Sequence, residues 1–160
     1  MLVRLADEGD KDWIKMILDE HWGGTMIASM DQWHDAAEAY ALVAEIDEKP
    51  AGLLTFRAES YALEILTLNT LFEGRGVGTQ LLQAIENLAS QWGRKRVWLV
   101  LSNDNLDGLR FYQKRGYVLT GINVEARIRA RAERPGGRET GQQDIPIRDE
   151  LLFAKFLEMS

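Results

Sequence analysis

Three glycines at alternate positions, Gly74, Gly76 and Gly78, break the stretch LNTLFEGRGVGTQLL between an apolar run and a helix-like pattern. Glycine weakens strands and helices alike, so bare backbone must be needed there. At a helix start the first N–H groups lack partners and carry the positive end of the helix dipole. Glycines let an anion approach that backbone, which makes a phosphate or diphosphate cradle one reading of the turn. A tight strand-to-helix connection is the plainer one. Two familiar cradles do not fit. No Gly-Lys-Ser/Thr triplet follows, as a P-loop would need, and Thr79 stands where a dinucleotide fingerprint requires its third glycine.

Just upstream, period-2 alternation in ALEILTL places Glu64, Leu66 and Leu68 on one strand face. A carboxylate there could take a proton from an ammonium, directly or through water, or could be a partly exposed strand glutamate. Downstream, NDNLDGLRFYQKRGY, Asn103 to Tyr117, offers turn and N-cap chemistry, an aromatic pair and a glycine stop. The two histidines, His21 and His34, have no metal-ligand spacing.

These residues need elements to hold them. MLVRL reads as a first strand, followed by an acidic helix start with Trp13, Ile14, Ile17 and Leu18 at helical spacing. HWGGTMIAS reads as a loop, and a short amphipathic helix is expected over Asp31 to Ala39. Tyr40–Ile46 and Ala51–Glu59 flank DEKP as an antiparallel hairpin, with Tyr61–Leu71 the next strand. Val77, Leu81, Leu82, Ile85 and Leu88 mark a helix to about Gln91. A buried strand at Arg96–Ser102, a helix from Leu106 to Arg115 and a strand at YVLTG follow. Glu125–Arg134 looks like an arginine-rich helix, and spacing leaves Arg148–Leu157 open as strand or helix. The order predicts a mixed α/β or α+β fold with a largely antiparallel sheet.

The chain has 160 residues, enough for a single domain with one well-buried core; residues from about 122 onward read as an arginine-rich extension of it. It has no cysteine, which excludes disulfides and thiolate chemistry, and no apolar run of about 20 residues. The start lacks a signal-peptide core, so a cytoplasmic location is expected. A net charge of −6 argues against broad nucleic-acid binding and suits a cationic small molecule no better than it suits solubility.

Taken together, Glu73-Gly74-Arg75-Gly76-Val77-Gly78 and then Asn105, Gly108, Phe111-Tyr112, Gly116 and Tyr117 closely resemble the GNAT family of acyl-CoA-dependent N-acyltransferases. That family opens a long helix with Gln/Arg-x-x-Gly-x-Gly/Ala and later carries Asn-x-x-Ala-x-x-Phe/Leu-Tyr-x-x-x-Gly-Phe. The likeness is strong over Ala41 to Thr120, and Glu73 and Gly108 depart from it. It implies a central, mostly antiparallel twisted sheet of six or seven strands flanked by helices. It also implies acetyl-CoA as co-substrate, with no metal. The diphosphate would sit on backbone N–H groups of Arg75, Gly76, Val77, Gly78 and Thr79, with Arg75 adding charge. The pantetheine arm would run beside Leu66 and Leu68, and Asn105 belongs to the second motif. Tyr112 would be the acid for the departing thiolate: a thiol ionises near 8.5 and a phenol near 10, so tyrosine still holds its proton. A backbone N–H, that of Leu68, would meet the developing oxyanion.

The family's acceptor pocket points here to Trp22, Gly23 and Gly24, with Trp22 as an apolar wall. Arg127, Arg129, Arg131 and Arg134 would bind an anion, meet a partner subunit or form a solvated face. The expected activity is acetyl transfer to a primary amine on a small molecule. A protein N-terminal or lysine acetyltransferase and a silent acyl-CoA sensor are the alternatives. An exposed edge strand in the tail would allow a homodimer.

Overall fold

The computed structural model describes residues 1–158. In chain order the elements are β1 (Leu2–Leu5), α1 (Lys11–Trp22), β2 (Met26–Ser29), β3 (Gln32–Asp35), β4 (Tyr40–Ile46), β5 (Lys49–Ala58) and β6 (Ala62–Thr70). Then come α2 (Val77–Gln91), β7 (Arg96–Ser102), α3 (Leu106–Lys114), β8 (Val118–Asn123), α4 (Ala126–Glu133) and β9 (Glu150–Phe156). They pack as two compact units. One comprises residues 1–27, 34–97 and 156–158; the other comprises 28–33 and 98–155.

In the first unit β1, β4, β5 and β6 are successive antiparallel neighbours, followed by the start of β7. The β4–β5 hairpin closes on Asp47 and Glu48, both with positive φ, the twist that matches a two-residue hairpin loop. One face of these strands carries Val43 and Leu53, which cluster with Ile14, Ile17 and Leu18 of α1. The other carries Tyr40 and Phe56, whose stacked rings meet Trp92 beyond the end of α2. Gly52 belongs to this second face. A Cβ there would fall 2.5 Å from Cγ1 of Val77 and 3.1 Å from the carbonyl oxygen of Asn69, so only glycine lets the first turn of α2 lie this close to β5.

The β5–β6 ladder is irregular. Thr55 faces Thr67 and Phe56 faces Ile65, so Leu66 has no opposite residue and forms a bulge. The bulge breaks the alternation expected from the sequence. Glu64 and Thr67 share the face of Arg57 and Thr55, Leu66 packs with α1 on that side, and Leu68 turns with Leu54 to the other.

In the second unit β7 continues beside β9, and β9 pairs antiparallel with β8 from Val118↔Ala154 to Asn123↔Glu150. Seven strands therefore make up the main sheet among the described residues. The segment left open in the sequence is strand β9, and α4 falls where the arginine-rich helix is expected.

A second expectation fails. His21 and Trp22, read as loop, end α1, and within the loop and helix expected up to Ala39 residues 26–29 and 32–35 form the two-stranded β2–β3 sheet, with Met30 and Asp31 at its turn in the left-handed region (φ 51 and 64). No Asn-Gly or Asp-Gly announces that turn. It is held by distant groups: Met30 donates its N–H to Oε1 of Glu150 at 3.0 Å, and Arg129 grips Asp31. Tertiary contacts here override local helix spacing.

Candidate active site

The turn from β6 to α2 puts Gly74 and Gly76 in the left-handed region, each with φ 73, a conformation that favours glycine over other L-residues. Gly76 is the N-cap of α2, with no side-chain cap, and no acidic residue occupies the first turn. The first intrahelical bond over the cap runs from the Gln80 N–H to the Gly76 carbonyl at 3.1 Å. The helix geometry leaves the N–H groups ahead of it without intrahelical acceptors. Val77 and Gly78 are buried, Thr79 is half-buried, and Arg75 and Glu73 are exposed. A 15-residue helix thus presents its positive end at a turn of bare backbone. This donor set suits a diphosphate.

On β6, Glu64 is 1% exposed and its Oε1 accepts a 2.8 Å hydrogen bond from Nη1 of Arg57, its opposite on β5. Arg57 also lies 3.6 Å from Oε2 of Glu59. Next along this face, the buried hydroxyls of Thr55 and Thr67 bond at 2.6 Å. His34 on β3 is pulled below its ordinary imidazole pKa, chiefly by burial and then by Arg57, with Glu59 opposing. Trp22 ends α1 with its ring partly exposed, and its Nε1 donates to Oδ1 of Asn69 at 2.6 Å. Gly23 and Gly24 follow, both with positive φ. Arg57 and Asn69 were missed by sequence reasoning. Counting back from the bond between the Glu59 N–H and the Ala62 carbonyl would have paired Arg57 with Glu64. Nothing local marks Asn69.

In the second unit Asn105 caps α3, its Oδ1 accepting from the Gly108 N–H at 2.9 Å. This accounts for Gly108 where the family pattern has alanine: a Cβ there would meet the Asn105 amide at 2.8 to 3.0 Å. Asn103 ties the same turn to the tail, accepting from the N–H groups of Arg148 and Asp149. Tyr112 is 6% exposed, with Phe111 and Tyr117 edge-on to its ring at 5.1 and 5.6 Å. Burial pushes its phenol well above the ordinary value, so it keeps its proton at physiological pH.

The arginines of α4, and Arg134 just past it, mostly meet groups of their own unit, though Nε of Arg127 is buried without a hydrogen-bond partner. Arg129 forks onto Asp31 at 2.9 and 3.3 Å and also donates to Asn123. Arg127 lies 3.5 Å from Oε2 of buried Glu150. Arg134 stands over the ring of Trp33, whose Nε1 donates to Glu133. Arg131 reaches the carbonyl of Arg138 at 3.3 Å. Among the described residues no group of His, Cys, Asp and Glu gathers as a metal site, and no helix is long and apolar enough to cross a membrane.

Residues 8–117 match the family model described as the acetyltransferase (GNAT) family. The uncharacterized protein YxbD of Bacillus subtilis (strain 168) is 36% identical over 150 residues, covering 92% of this chain and 94% of that protein. In fold, the chain is similar to the Bacillus subtilis acetyltransferase solved in complex with CoA, with a TM-score of 0.73 and 17% identity over 98% of each chain. It is also similar to a GNAT family acetyltransferase of Elizabethkingia anophelis with acetyl-CoA bound, with a TM-score of 0.70 and 17% identity, covering 98% of this chain and 97% of that one.

Proposed function

Because the chain belongs to the acetyltransferase (GNAT) family, we propose that it transfers an acetyl group from acetyl-CoA to a primary amine on a small molecule. The uncapped start of α2 behind left-handed Gly76 is the observation that carries this reading. Backbone N–H groups from Arg75 to Thr79 hold the diphosphate, and Arg75 adds long-range attraction. The bulge at Leu66 takes its peptide out of the regular β5 ladder, which favours backbone bonding of the pantetheine arm at Leu66 and Leu68. Bound acetyl-CoA supplies an activated acyl group with a thiolate leaving group.

Glu64 accepts the ammonium proton, leaving the nitrogen lone pair free to attack. The Leu68 N–H meets the charge that develops on the carbonyl oxygen. Tyr112 then donates its phenolic proton to the departing sulfur. Its raised pKa does not prevent this, because exclusion of water also raises the proton affinity of a thiolate in the same surroundings. Trp22, its indole fixed by Asn69, forms an apolar wall for the acceptor.

The test is thiol release from acetyl-CoA across a panel of amines. Turnover with at least one amine, falling about 100-fold or more in Tyr112→Phe with acetyl-CoA affinity kept, supports the proposal. Thermal stabilisation by CoA with no turnover on any amine would make the chain a sensor. No stabilisation at all would remove both readings.

A further inference from the structure

Glu64 is almost wholly shielded from water, and its cross-strand opposite is a cation. A carboxyl group sealed in this way without a countercharge favours its neutral form, and a neutral acid cannot relieve an ammonium of its proton. Arginine stays charged at any working pH. The Arg57–Glu64 contact, 2.8 Å from Nη1 to Oε1, is a charge-assisted hydrogen bond on the face that also carries the Thr55–Thr67 pair. The titratable groups around Arg57 come from three strands: Glu64 from β6, Glu59 just past the end of β5 at 3.6 Å, and His34 from β3.

We propose that Arg57 is a positioning residue for acetyl transfer: across the β5–β6 ladder it keeps Glu64 an oriented carboxylate, ready for the proton of the acceptor's ammonium. The inference rests on Glu64 being the proton acceptor. In the step itself the N–H bond breaks, its electron pair stays on nitrogen, and the proton moves to a Glu64 oxygen. It passes to water after the acetylated product leaves.

A purely structural ion pair would also shift the Glu64 titration, so the test reads pH-dependent turnover beside the carboxyl group. The full chain is labelled with carboxyl-13C glutamate and titrated from pH 4 to 9 by NMR, with the Glu64 signal assigned by its loss in Glu64→Gln. The expected result is a wild-type Glu64 signal already ionised at pH 6, a midpoint about one unit or more higher in Arg57→Gln, and recovery in Arg57→Lys. With an amine from the active panel, kcat/KM of Arg57→Gln at pH 6 should fall with the ionised fraction of Glu64, about twofold where the raised midpoint reaches pH 6. The deficit should narrow by pH 9. An unshifted Glu64 signal in Arg57→Gln overturns the role of Arg57. Should that variant not fold, a wild-type Glu64 midpoint above pH 6 overturns it equally. Full turnover in Glu64→Gln removes the base assignment instead, and the role of Arg57 in transfer falls with it even where the NMR shift appears.

Discussion

The glycine turn ahead of α2 and the arginine run of α4 both read, in sequence, as places for an anion. They differ in what is already bonded. At α4 and just past it the full charges mostly face protein groups, Arg129 on Asp31, Arg127 near Glu150 and Arg134 over Trp33, with Nε of Arg127 buried without a hydrogen bond. At α2 the charges are only partial, yet the cap carries no side chain and the first turn no carboxylate. Counting arginines therefore overstates one region, while counting charge misses the other. Capacity to bind depends on backbone geometry as well as charge: glycine lets an anion come close to a helix start, whereas these guanidinium groups mostly face protein groups.

The largest effect expected from this contrast is at Gly76. A β-branched residue at φ 73 is strained, so Gly76→Val should distort the turn and weaken CoA binding tenfold or more by isothermal calorimetry. Binding within twofold of wild type would show that the turn is only a connection. Next is Gly52→Ala, which forces a methyl against Val77 and the Asn69 carbonyl. It should destabilise the chain by about 1–3 kcal/mol in denaturant unfolding and weaken CoA binding through the displaced start of α2.

The smallest effect belongs to the arginine region. Arg129→Ala should leave CoA affinity unchanged, lower the melting temperature slightly, and speed amide exchange at Met30 and Asp31. A large loss of CoA affinity would reverse the contrast. The same clasp has a pH signature. Arg129 first, and Asn123 next, hold the Asp31 carboxyl below its ordinary range. A lowered folded pKa gives stability that is present above the unfolded value and lost as pH falls through the folded one. The melting difference between wild type and Arg129→Ala should thus be full at pH 7 and fade below about pH 4.

Much of this was legible in the chain, for reasons the same contrast makes plain. α2 and β7 fall at their expected bounds because both are set by local apolar spacing and glycine stops. The β4–β5 hairpin is likewise local. The β2–β3 sheet was not legible, since its turn depends on Glu150 and Arg129, more than ninety residues away. The face of Leu68 was misread because a bulge adds one residue to β6, and period-2 counting cannot see an insertion into a ladder. The second motif pointed to Tyr112 and strand alternation to Glu64, but neither pointed to Arg57, which has meaning only once β5 is paired with β6.

The central claim is that backbone amides at the start of α2 grip the diphosphate of CoA. Amide chemical shifts in 15N-labelled chain, titrated with CoA and separately with pantetheine, which lacks the diphosphate, test it directly. The account predicts that the N–H signals of Gly76, Val77 and Gly78 move strongly with CoA and little with pantetheine. CoA binding that leaves those three signals in place would contradict it.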